Sequence, residues 1–182
     1  YDMDLRMTMT AQGMSLEVPL TLAGDFQAPD RSQATLSVTI AFFSIESQVI
    51  TVGERTYITD PETGEWQLIK GDAAFLAGPG DILGTAPSQI KDLVGVGRES
   101  LEGVPVYHIK GVAPSSAFGQ AGGDFAIDFW IGVDDSLVRQ IVAEGDLQAS
   151  QGELPLLGGV ALGAGQVSLT VKLSEFDKAV SI

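Results

Sequence analysis

Residues Tyr57–Ile69, YITDPETGEWQLI, set two runs of β-forming residues around Asp60-Pro61-Glu62-Thr63-Gly64. Proline fixes φ for a turn, aspartate bonds its own following backbone, and glycine supplies a positive φ for re-entry into a strand. The stretch predicts a tight hairpin whose acids are turn-formers rather than an acidic active-site corner, with Trp66 near the rim of a sheet. One hairpin implies neighbours, because two strands alone are marginal in water.

Working outward, two-residue alternation recurs almost everywhere, the mark of half-buried strands. Met3, Leu5, Met7 and Met9 fall on one face, as do Leu16, Val18, Leu20 and Leu22, and then Leu36, Val38, Ile40 and Phe42. Shorter strands are expected at Gln48–Val52, Arg55–Thr59 and Trp66–Ile69. Val104–Val112 follows, then Phe125, Ile127, Phe129 and Ile131, then Leu137–Gln148, and finally Val167, Leu169, Val171 and Leu173. Nine to eleven strands with short turns predict one antiparallel meander, wet on one side and covered on the other. So large a sheet must curl.

The rhythm breaks between about residues 72 and 94. Phe75, Leu76, Ile82, Leu83, Ile90, Leu93 and Val94 take helix-like spacing, cut into short pieces by Pro79, Gly80, Gly84 and Pro87. Ser88 is the expected N-cap of a helix over Gln89–Val94. The expectation is therefore an α+β, mostly β, single domain over 1–182, with a short helical cover at about 72–94. Two loops stand out, 113–123 and the apolar, Gly-rich 150–165.

Composition narrows the function. With 45% apolar and 19% charged residues the chain is globular. Its 182 residues can bury a core without disulfides. No apolar run reaches the roughly 18 residues of a membrane-spanning helix. A net charge of -14 argues against nucleic acid as partner and against basic docking on anionic lipids. Cysteine is absent, which excludes thiol catalysis, disulfides and thiolate metal sites. His108 is the sole histidine, so a transition-metal site would need carboxylates for nearly every ligand. No G-x-S-x-G elbow, Walker A loop or EF-hand spacing is present. The expectation is no enzyme, no metal and no cofactor, with His108 a packed or surface side chain.

Four phrases taken together resemble a known family: Arg55–Ile69 (RTYITDPETGEWQLI), Val96–Gly111 (VGRESLEGVPVYHIKG), Asp128–Ile141 (DFWIGVDDSLVRQI) and Leu173–Ile182 (LSEFDKAVSI). Their order and spacing are similar to the LppX/LprG-type lipoproteins of the bacterial envelope and, more distantly, to the LolA/LolB carriers. The resemblance implies a half-barrel, a strongly curled antiparallel sheet with short helices covering its concave face. It implies a cavity between the two for the acyl chains of a lipid, glycolipid or lipidated protein. It also implies an extracytoplasmic, envelope-anchored lipoprotein whose lipid anchor lies upstream of Tyr1, with a monomer as the default.

Under that reading, parity assigns Leu36, Val38, Ile40, Phe42, Phe125, Ile127, Phe129 and Ile131 to the concave wall. The spacing assigns Phe75, Leu76, Ile82, Leu83, Ile90 and Leu93 to the helical side. A cavity wall and a packed core share the same composition, so a scaffold of the same fold with a filled core stands beside the carrier reading.

Overall fold

A computed structural model describes residues 1–11, 14–40, 43–69, 78–84, 86–114, 123–147, 153–154, 160–161, 165–180 and 182. The first meander runs β1 (Asp2–Ala11), β2 (Met14–Gln27), β3 (Arg31–Ile40), β4 (Phe43–Val52), β5 (Arg55–Thr59) and β6 (Trp66–Leu68). Two short helices follow, α1 (Pro79–Gly84) and α2 (Ala86–Gln89). The second meander is β7 (Lys91–Leu101), β8 (Val104–Pro114), β9 (Asp124–Gly132) and β10 (Val138–Leu147). A small hairpin pairs β11 (Glu153–Leu154) with β12 (Val160–Ala161), and β13 (Gly165–Lys172) returns to the main sheet.

The main sheet has 11 strands in the order β6-β5-β4-β3-β2-β1-β13-β10-β9-β8-β7. Every described pairing is antiparallel. The first and last strands, β1 and β13, zip the two meanders together from Asp2↔Lys172 to Met9↔Gly165. Among the described residues β6 and β7 each have one sheet neighbour, so the sheet is open, a half-barrel rather than a closed barrel.

The 57–69 hairpin forms as its sequence dictates. Asp60 Oδ1 accepts the backbone N–H groups of Glu62 and Thr63, each at 2.9 Å, and Gly64 turns with φ 73°. Those two bonds, the Thr63 one first, hold the Asp60 carboxyl below its ordinary value. Trp66 and Leu68 stand about half exposed on the three-residue edge strand.

Two expectations change. β4 begins at Phe43 rather than Gln48, which brings Ser47 into the sheet. The helix over Gln89–Val94 does not form. Ser88 and Gln89 end α2, and Lys91 opens β7. Asp92 takes φ 53°, Gly97 takes φ 146°, and the ladder to β8 shifts register at Lys91/Val94 and Gly95/Gly97. Such irregularity erases two-residue alternation, and the apolar residues left behind mimic helical spacing. Leu93, Val94 and Val96 are more than half exposed on this edge. Among the described residues the helices thus amount to ten residues in two pieces, six in α1 and four in α2.

Candidate functional site

Register turns the alternating residues into continuous rows on one face. The first row crosses eight strands, Ser47–Leu36–Leu22–Met3–Val171–Ile141–Phe129–Ile109, each directly opposite the next. A second, Val38–Leu20–Leu5–Leu169–Ala143–Ile127–Gly111, runs beside it. Apart from Ser47 and Gly111 both rows are apolar, and their centre is sealed, with Ile127, Ile141 and Val171 at 0% exposure. Non-polar residues from nine strands therefore share one cluster.

The structure brings Leu36, Val38, Phe125, Ile127 and Phe129 into this buried face, with Ile131 half-buried against it. From the expected cover, Leu83 of α1 and Ile90 of the α2–β7 link also pack on it. Gly111 is the seat for the link: a Cβ there would lie 2.6 Å from Ile90 Cγ2 and 3.0 Å from Leu93 Cδ2. Leu93 is therefore a rim residue of β7, 61% exposed, and not part of a covering helix. Phe42, Phe75 and Leu76 lie outside the described residues. Ile40 and Ile82 have a described backbone, at the end of β3 and in α1, but their side chains are outside the description. Of the two expected loops, 115–122 and most of 150–165 also lie outside it.

At the β3–β4 end the inward face turns polar. Ser32 and Thr51 are buried opposite one another, and Thr51 Oγ1 meets Thr56 Oγ1 at 3.0 Å. Gly78, with φ 83°, places the start of α1 against Ser32 and Tyr1. Burial pushes the Tyr1 phenol up to about 12.

The outer face carries the densest group of charges. His108 stacks on Trp130 with ring centroids 4.5 Å apart. Its Nδ1 lies 3.0 Å from Glu99 and its Nε2 2.5 Å from Asp128, which also takes Lys110 at 3.2 Å. Trp130 Nε1 donates to Glu99. Both imidazole nitrogens thus lie within reach of carboxylates. The group works as a strut joining edge strand β7 to β8 and β9. Glu99 escaped the sequence reading because β7 did. Among the described residues no group of three or more His, Asp or Glu is arranged to hold a metal ion.

The family model of the LppX_LprAFG lipoproteins matches residues 2–182. The chain belongs to the LppX_LprAFG lipoprotein family. As a member of it, the protein is an extracytoplasmic lipoprotein of the cell envelope. The fold agrees with lipoprotein LppX of Mycobacterium tuberculosis, at 16% identity and TM-score 0.51 over 99% of this chain and 87% of that one. LprF of Mycobacterium bovis aligns at 14% identity and TM-score 0.47, covering 100% of this chain and 88% of that one. A putative outer membrane lipoprotein-sorting protein domain from Vibrio parahaemolyticus aligns at 9% identity and TM-score 0.36, over 99% and 87%. No curated protein matches the chain in sequence.

Proposed function

We propose that this LppX_LprAFG lipoprotein is a non-catalytic carrier that binds acyl chains of a lipid, glycolipid or lipidated protein between the inward face of its sheet and the α1–α2 cover. The carrying observation is the unbroken apolar row from Leu36 to Ile109 across seven strands. Apolar ligands need a concave, mostly apolar surface with few polar groups, and each methylene buried contributes about 0.8 kcal/mol. Leu36, Val38, Phe125, Ile127, Phe129 and Ile131 form the wall in this reading, and Leu83 and Ile90 the cover. Ile40, Phe42, Phe75, Leu76 and Ile82 take the same roles by parity and spacing. The protein acts as a monomer held to the membrane by a lipid anchor upstream.

One observation favours a second reading, a scaffold with a filled core: the inward residues of the central strands are almost fully buried as they stand. A single experiment separates the two. Native mass spectrometry of protein purified from its own host shows a bound lipid if it is a carrier, and the emptied protein takes up a fluorescent fatty acid. Leu83→Trp and Phe129→Trp then block uptake while the fold survives. No lipid and no uptake establish the scaffold, as does global unfolding of both variants.

A further inference from the structure

Ser47 ends the long apolar row. Across β3 it faces Leu36, with Ala34 and Val38 on the diagonals, and along β4 its neighbours on the same face are Ile45 and Val49. Every one of these is apolar. Ser47 is only 4% exposed, and its Oγ is buried with no hydrogen-bond partner among the described residues. Four residues along the strand, the equally buried Thr51 has Thr56 as partner. A buried hydroxyl without a partner loses its hydration and gains nothing in return, so an aliphatic side chain would suit this position better in a plain core.

We propose that Ser47 Oγ is the hydrogen-bond donor for the ester carbonyl of an O-acyl lipid lying along the inward face. This rests on the carrier reading and names its ligand class. A methylene chain satisfies every other position of the row and leaves Ser47 unmet. The acceptor that an acyl lipid carries next to its chain is the ester carbonyl. An uncharged donor suits it, where a charged side chain would select a headgroup phosphate instead. Ser47 stands at one end of the row, so a chain whose carbonyl it holds runs past Leu36, Leu22 and Met3 toward Phe129. The seven interstrand steps of that row measure roughly 34 Å along the sheet, room for an extended acyl chain.

The test uses delipidated wild-type protein and Ser47→Ala. Each is incubated with vesicles holding equal amounts of a diacylglycerol and a dialkylglycerol of the same chain length, which differ at the carbonyls alone. Bound lipid is quantified by mass spectrometry. Wild type is expected to enrich the diacyl form about 2- to 10-fold, the range of one net hydrogen bond. Ser47→Ala brings the ratio to about one by lowering uptake of the diacyl form while dialkyl uptake holds, and Ser47→Thr, which keeps the hydroxyl, retains the preference. An alanine variant that keeps the wild-type ratio overturns the inference, as does a wild type with no preference. Uptake of neither lipid by wild type overturns the carrier reading itself. Urea unfolding adds an independent check: Ser47→Ala should be as stable as wild type or more so. A clear loss of stability would give Oγ a structural partner and overturn the assignment.

Discussion

The ring of Phe125 lies flat over Gly145, and substituting that glycine reports on the inward wall directly. A Cβ at Gly145 would sit 2.9, 3.0 and 3.1 Å from Phe125 Cγ, Cδ1 and Cδ2 respectively. Relaxed carbon contacts are about 3.5–4.0 Å, so Gly145→Ala has to push the ring back by about half an ångström or more. Phe125 is 3% exposed and has little room to retreat. Overpacking of this kind costs about 1–3 kcal/mol. The smaller conformational freedom of alanine in the unfolded chain returns about 0.4–1 kcal/mol. The net expectation is a loss of about 1–2 kcal/mol, a fall of roughly 2–8 °C in melting temperature for a chain of this size.

The decisive form of the experiment is a double-mutant cycle followed by urea unfolding. Phe125→Ala alone should cost about 3–5 kcal/mol. Adding Gly145→Ala to it should cost nothing further, because the clashing ring is gone, giving a coupling of about 1–3 kcal/mol. Costs that add to within about 0.5 kcal/mol would show that Phe125 does not cover Gly145 and would refute the packing assigned to this end of the wall.

Two further outcomes follow from single contacts. Gly24→Ala would place a Cβ 2.0 Å from the backbone oxygen of Gln33, and a backbone cannot swing aside. The β2–β3 pair must part there, and the expected cost is about 2–4 kcal/mol. Gly95→Ala on β7 meets nothing within 4 Å and should change stability by no more than about 0.5 kcal/mol, so equal urea midpoints for the two variants would contradict the contact. For pH, the Tyr1 phenol is raised from 10.0 to about 12 in the folded state. Its contribution is fully present below pH 10 and is lost as pH rises through about 12, at most about 2–3 kcal/mol. Urea midpoints should fall over that window in wild type and fall less in Tyr1→Phe; identical slopes would remove Tyr1 as the cause.

The parts of the fold legible in the sequence were those where one strand face is uniformly buried. Met3 and Leu5, Leu36 and Val38, and Phe125, Ile127 and Phe129 alternate because water lies on one side of them and the core on the other. β7 was not legible, since an edge strand exposed on both sides has no buried face to impose alternation. Its register shifts then placed Leu93 and Val94 at helix-like spacing after Ile90. That one misreading hid two others. Without β7, Glu99 had no route to His108, and the outer strut reduced to a lone histidine. Ser47 was hidden for a related reason: Phe43–Gln48 mixes polar and apolar residues on its inward face, so β4 read as beginning late. Its meaning depends on Leu36 standing opposite, and cross-strand register is a non-local fact that no window of sequence contains.

The edges also bear on why a carrier would stop at a half-barrel. Closure would require β6 to pair with β7, and neither is built for it. β6 has three residues, against eleven in β7, so the two cannot form a long ladder. β7 is bent by two register shifts and studded with Lys91, Asp92, Arg98 and Glu99, the usual means by which an edge is kept from pairing. Its inner side is further occupied by Arg98, which donates to the Tyr107 hydroxyl at 2.6 Å and lies 4.9 Å over that ring. Meanwhile Glu99, through His108 and Trp130, ties the strand back to its own meander. A closed barrel would shut the sides of the apolar rows behind backbone hydrogen bonds and admit a chain only through its ends. An open sheet confines those bonds to the strands and leaves side-chain contacts at the gap, such as Ile90 against Gly111. Contacts of that kind separate without unpairing a strand, which is the property a reversible acyl-chain site requires.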